Sequence, residues 1–238
     1  VIHHRLASCS STNDEARRAF EEGAALPLLI SAEEQTAGRG RQGRSWSQLQ
    51  GNFAGSFLIE GTRALVQNPG VLSLLAGLAV RDALIANGAQ GSELTLKWPN
   101  DVLRQERKVA GILAEFLEDS HRRAFIIGIG VNLAKAPDDT PFPAARAFDN
   151  VSPGPAAFGD ELGSTLLGWV RFAEKDGSEA VLTRWRDHGW RLGEPLAVRT
   201  GETVTEGIFE DIDNQGHIVL RLPEGGLRTI SAGDAVRR

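Results

Sequence analysis

Hydrophobic spacing gives the chain two textures. Up to about residue 190, stretches with helical period alternate with short strand-like runs. Thr12-Asn13-Asp14-Glu15 fits a capping box, a hydroxyl followed three residues later by a carboxylate, so a helix is expected to reach about Glu22 and stop at Gly23. Leu26 to Ala32 and Asn52 to Ile59 read as strands, with a loop over Thr36 to Ser47 between them. A longer helix starts at Asn68-Pro69, buries Val71, Leu74, Leu75 and Leu78, and ends at Gly88. Leu94, Leu96 and Trp98 alternate with Thr95 and Lys97, a short strand entering a turn at Pro99-Asn100-Asp101. Lys108 to Glu118 and Ala124 to Leu133 are apolar strands around a turn at Asp119 to Arg122, which predicts a hairpin. Lys135 to Pro155 holds five of the ten prolines and is expected to be a surface connection. Helices over Phe158 to Glu174 and Ser178 to His188 follow. From Leu192, short alternating segments broken by Asn214-Gln215-Gly216 and Glu224-Gly225-Gly226 predict a small β-barrel, too short to be secure alone and expected to dock on the rest. The expected division is a domain over 1–190 and a second over 191–238.

Composition narrows the class. The chain has 238 residues, 41% hydrophobic and 24% charged, the profile of a globular protein with a real core. The longest apolar run, Val71 to Ile85, is broken by Ser73, Arg81 and Asp82, so no membrane span is expected, and Val1 to Ser11 does not read as a signal peptide. With Cys9 alone no internal disulfide forms, and a cytoplasmic protein is the default. A net charge of −5 argues against a whole-surface grip on DNA or RNA. There is no Met, so Val1 is not expected to be the encoded start. The cations split into 22 Arg and four Lys, and two of those lysines, Lys97 and Lys108, fall in neighbouring motifs.

Five motifs carry candidate chemistry. Gly38-Arg39-Gly40-Arg41-Gln42-Gly43-Arg44-Ser45-Trp46 interleaves guanidiniums with glycines, a pattern suited to a mobile loop closing on an anion; in an extended stretch Arg39 and Arg41 would point the same way. A solvated Arg/Gly loop or an RNA-binding segment explains the composition equally well. Lys97-Trp98-Pro99-Asn100-Asp101 puts Asn and Asp at a strand end, where they serve as hard-cation ligands or simply as an Asx turn. Lys108 opens an apolar strand, either snorkelling or holding an anion as a point charge. In Gly128-Ile129-Gly130-Val131-Asn132, alternation puts Gly128, Gly130 and Asn132 on one face, cleared for a ligand or for a close-packed helix, and Phe125, Ile127, Ile129 and Val131 on the other. Ser10-Ser11-Thr12-Asn13 is a helix cap whose polar atoms can also hold a small ligand group.

In this order the motifs resemble the biotin–protein ligase family, most specifically through the Arg/Gly loop paired with Lys97-Trp98-Pro99-Asn100-Asp101. The resemblance covers Ser10 to Leu133, and the tail from Leu192 in texture only. It implies an α/β (α+β) fold: a class II aminoacyl-tRNA-synthetase-like mixed sheet flanked by helices, plus an SH3-like β-barrel. It implies formation of biotinyl-5′-AMP from biotin and ATP, then transfer of biotin to a lysine of the biotin carboxyl carrier domain of a carboxylase. It further implies that Ser11, Thr12, Asn13 and Gln35 hold biotin's polar ring, and that Gly38, Arg39, Gly40 and Arg41 close over it. Arg44, Trp46, Asn100 and Asn132 fall to ATP, Lys108 to the reacting carboxylate and α-phosphate with Arg41 as its catalytic partner, and Asp101 to Mg²⁺. Gly111 and Gly130 would let the ligand lie on the sheet. Because the first motif begins at Ser11, the type without an N-terminal DNA-binding domain and without repressor function is expected; family members often pair as homodimers. A lipoate or octanoate ligase, a nucleic-acid binder and a non-catalytic biotin binder stay open.

Overall fold

The computed structural model describes residues 1–138, 140 and 142–237. A seven-stranded sheet forms its centre. The elements run β1 (Ile2–Cys9), α1 (Thr12–Glu21), β2 (Leu28–Gln35), β3 (Phe53–Glu60), α2 (Arg63–Gln67), α3 (Gly70–Ala86), β4 (Leu94–Lys97), β5 (Asp101–Arg104), β6 (Arg107–Glu118), β7 (Arg123–Val131), α4 (Pro155–Asp176) and α5 (Ser178–Arg186). Strand order is β1-β2-β3-β7-β6-β5-β4; β1 and β2 are parallel and all other neighbours antiparallel. The tail adds β8 (Pro195–Thr200), β9 (Thr203–Ile212), β10 (Ile218–Arg221), β11 (Leu227–Ile230) and β12 (Asp234–Val236), an antiparallel sheet in the order β11-β10-β9-β8-β12.

The two faces of β7 explain the layering. Phe125, Ile127, Ile129 and Val131 enter the main core with α3 and α4. Ala124 and Ile126 point the other way, under Ala16 and Phe20 of α1. α1 covers only that end of the face, so Gly128 and Gly130, further along, front an open cavity. α3 is buried nearly all round, well beyond the expected stripe, because the sheet, α4, α5 and the tail enclose it. The tail docks as expected: Leu196, Phe209, Ile212 and Leu220 join the main core, and Trp98 Nε1 donates to the Gly216 carbonyl at 2.9 Å.

Three expectations need correction, and one strand was not foreseen. The capping box is not formed: Ser11 is the N-cap, and the Thr12 hydroxyl turns inward to Gln35 and Ser56, a stronger use in a buried setting. Residues 2–9 form a strand, drawn into the sheet by parallel pairing with β2 although their polar pattern carries no strand signal. Asp101 opens β5 rather than closing a turn, because its backbone pairs with Lys97 and Gly111. The proline-rich connection is not all surface. Its backbone docks on the start of β6 (Lys108 N–H to Pro143 O, 2.7 Å) and beside Asn132, and Ala144, Ala147 and Phe148 are buried. Asp139 and Pro141 of that stretch, and Arg238, lie outside the described residues.

Candidate active site

A cavity of about 390 Å³ opens on the sheet face between the start of α1, the Arg/Gly loop and the tail. That volume accommodates a small organic ligand. Every residue expected at the site lines it except Gly38. Gly38 instead packs under the loop, where a Cβ would stand 2.6 Å from the Trp46 carbonyl.

One end is neutral and polar. Ser11, Thr12 and Asn13 are buried there, and Gln35 Oε1 accepts from the Thr12 backbone N–H at 2.8 Å. Ser56 Oγ, fully buried beneath them, lies 2.7 Å from Thr12 Oγ1 and 2.6 Å from Asn13 Oδ1. A Cβ on Gly128 would run into the Asn13 amide, so that glycine makes room for the asparagine.

The floor is bare backbone. Gly111 and Gly130 are paired across β6 and β7, and the Trp46 indole rests on both. Gly130→Ala drives a Cβ into that ring, so Trp46 is expected to be displaced and to become more accessible to acrylamide quenching, read against a Trp46→Phe control.

The other end is cationic. Arg41, Arg44, Lys97 and Lys108 face it, against the carboxylates Asp101 and Asp234. Lys108 Nζ lies 2.6 Å from Asp101 Oδ1 and 5.7 Å from the centre of the Trp46 ring. Lys97, 6% exposed, reaches Asp101 Oδ2 at 3.3 Å and sits over the Phe142 ring. Burial alone would raise the Asp101 pKa; Lys108 and then Lys97 overcome it and hold the carboxyl below its ordinary value. Burial, with Arg44 adding to it, pushes Arg41 down, while Asp234 and Asp101 pull it back up. An anion bound at this end would offset that penalty as the two carboxylates do.

The Arg/Gly loop is not an extended stretch. It folds back on itself, Trp46 N–H donating to the Gly38 carbonyl and Gly40 N–H to that of Arg44, and residues 41–43 make a 3-10 turn with Gln42 at φ 55°. Arg39 and Arg41 therefore diverge. Arg39 pairs with Asp14 at 2.5 Å, whereas Arg41 donates to Asn100 Oδ1 and the Gly233 carbonyl, and Arg44 pairs with Asp234 at 3.0 Å. Asp101 faces two cations here. Each of its oxygens is ion-paired with an ammonium group, and Asn100 Oδ1 accepts from Arg41, a cationic setting that does not favour a resident Mg²⁺.

Three contributors were not singled out from sequence: Ser56, Glu115 and Asp234. Glu115 was findable, since strand alternation puts it on the face of Gly111. Asp234 was not, because only the docked tail brings it to the loop. A Ser31–His3–Asp160 chain, with His3 2.7 Å from Ser31 Oγ and 2.6 Å from Asp160, resembles a hydrolytic triad. Ser31 does not line the cavity, and the contact ties β1 and β2 to α4.

A polar end and a cationic end joined over bare backbone suit a ligand that is uncharged and polar at one end and anionic at the other. The comparisons agree. Residues 6–132 match the biotin/lipoate A/B protein ligase family and residues 192–238 the biotin protein ligase C-terminal domain. The chain belongs to the biotin/lipoate A/B protein ligase family. It is 38% identical to a biotin–[acetyl-CoA-carboxylase] ligase of Paracoccus denitrificans, over 92% of this chain and 94% of that one. The ligase of the same name from Mycobacterium tuberculosis is 34% identical over 97% and 87% of the two chains. The biotin protein ligase of Aquifex aeolicus, solved with biotin and ATP, superposes with a TM-score of 0.83 at 25% identity, covering 99% of this chain and 97% of that one.

Proposed function

We propose that this protein is an ATP-dependent biotin–protein ligase. The observation that carries the reading is the position of Lys108, whose ammonium stands over Gly111 of the glycine floor, at the cationic end where that end meets the floor. Biotin's ureido ring occupies the polar end, held by Ser11, Thr12, Asn13 and Gln35, and its carboxylate reaches Lys108. Arg39, Gly40 and Arg41 cover it. The triphosphate meets Arg41 and Arg44, and Trp46, Asn100 and Asn132 complete the nucleotide side.

In the first step a biotin carboxylate oxygen attacks the α-phosphorus, the bond to the β-phosphate oxygen breaks, and pyrophosphate leaves. Lys108 and Arg41 offset the charge that builds as two anions are pressed together. In the second step a lysine amine of a carboxylase carrier domain attacks the acyl carbon, loses a proton, and AMP leaves. Mg²⁺ would arrive on the phosphates, since Asp101 is committed to two lysines. The division of labour follows the two sheets: residues 1–190 form the catalytic domain and 191–238 a C-terminal domain that reaches the loop through Asp234. Among the described residues no helix is long and apolar enough to cross a membrane.

Exchange of labelled pyrophosphate into ATP, without acceptor protein, tests the reading. Exchange with biotin and none with lipoate or octanoate is expected. Exchange with lipoate alone reassigns the acid, and none with any of the three removes the adenylating activity.

A further inference from the structure

Glu115 lies on β6, on the cavity side of the sheet but beyond the cavity lining. Its Oε1 accepts from Asn13 Nδ2 at 2.7 Å and lies 3.5 Å from Arg39 Nη2; its Oε2 accepts from Arg17 at 2.5 Å. Arg39 is in turn paired with Asp14. The charges at the rim are half-exposed, and such pairs add little to global stability. The bond to Asn13 is different, because Asn13 is only 4% exposed. A buried amide has two orientations, and its neighbours decide between them.

Here the choice propagates. An ionised carboxylate only accepts, so Asn13 must present its NH₂ to Glu115 and its Oδ1 to Ser56. Because Oδ1 only accepts, the single hydroxyl proton of Ser56 points at Asn13, while the Thr12 hydroxyl, 2.7 Å from Ser56 Oγ, has its own acceptor in Gln35 Oε1 at 3.1 Å. Gln35 is fixed independently, its Oε1 accepting from the Thr12 backbone N–H. One acceptor outside the cavity thus sets which atoms of Asn13 and Ser56 donate and which accept. The same carboxylate adjoins Arg39, the first arginine of the covering loop.

We infer that Glu115 is a positioning residue for the polar end of the site: it orients Asn13, and through it Ser56, for a ligand ring that carries both an acceptor carbonyl and N–H donors. This rests on the biotin ligase reading, in which that ring is the ureido group.

The test measures biotin affinity by calorimetry without ATP, and the KM for ATP by pyrophosphate exchange, on the full chain. Glu115→Ala leaves the Asn13 NH₂ buried without its partner and is expected to weaken biotin binding by about tenfold, with the KM for ATP within about twofold of wild type. Glu115→Gln keeps an oxygen that can accept from Asn13 and is expected to recover most of the affinity, which also covers the case in which the alanine variant folds poorly. Unchanged biotin affinity in Glu115→Ala overturns the assignment. So does an equal loss for biotin and ATP, the mark of a merely structural role, or a glutamine variant as weak as the alanine one. A wild-type protein that does not bind biotin overturns the ligase reading and the Glu115 role together; wild-type binding with an indifferent alanine variant overturns the Glu115 role alone.

Discussion

Lys108→Ala is expected to lower biotin-dependent pyrophosphate exchange by at least about a hundredfold, the scale seen when one group stabilising transition-state charge is removed. The fold is expected to survive. The Lys108 side chain is partly exposed and lies at the start of β6, and Asp101 keeps Lys97 as a counter-ion when Lys108 is lost. No buried charge is orphaned. Lys108→Arg is expected to rescue little, because the ammonium works in a narrow place: its Nζ lies 3.0 Å from where a Cβ on Gly111 would stand, with the Trp46 ring on the same glycine. A planar guanidinium does not substitute for a point charge there. Exchange rates at saturating biotin and ATP, with circular dichroism as the folding control, decide the matter. Near-normal turnover in the alanine variant would move the charge-stabilising role elsewhere.

The parts of the site that were legible in sequence are those a local rule can reach. Alternation along β7 is enough to put Gly128, Gly130 and Asn132 on one cleared face, and the core positions between them confirm the parity. A run of arginines among glycines marks a loop meant for anions whatever its conformation. What stayed hidden depends on contacts distant in the chain. Arg44 is paired with Asp234, 190 residues on, and nothing local to either residue announces the other. The Thr12 hydroxyl has two possible uses, capping its own helix or bonding Gln35 and Ser56, and only the packing of α1 on β2 and β3 selects the second. The strand at residues 2–9 forms by parallel pairing with β2, an edge position that its own polar residues do not advertise. Tertiary context likewise turned Asp101 from a candidate metal ligand into a shared counter-ion: residue type and spacing suit either use, and the presence of Lys97 and Lys108 on its two oxygens decides.

That shared counter-ion leads to the second large effect. Asp101→Ala is expected to destabilise the protein by about 3 kcal/mol, lowering Tm by roughly 6–12 °C for a chain of this size. The cause is Lys97, not Asp101 itself. Lys97 is almost fully buried against Phe142, and among the described residues its ammonium, without the carboxylate, keeps only that ring as a charge partner. Removing one member of a buried pair costs more than the pair contributes, because the surviving charge keeps its desolvation penalty. A double variant, Lys97→Met with Asp101→Ala, is expected to regain part of the loss, since it removes the stranded charge as well. Acidity acts on the same carboxylate. Its pKa is held below the ordinary aspartate value in the folded protein, so the folded state binds that proton less readily than the unfolded chain. The stabilisation is therefore fully present above the ordinary aspartate range and is lost as the pH falls through the depressed folded value. Wild type and Asp101→Asn are expected to differ most near neutral pH and to converge only in strong acid. Thermal melts of the three variants across that range measure this directly; an Asp101→Ala protein that melts with wild type would show that Lys97 does not depend on Asp101.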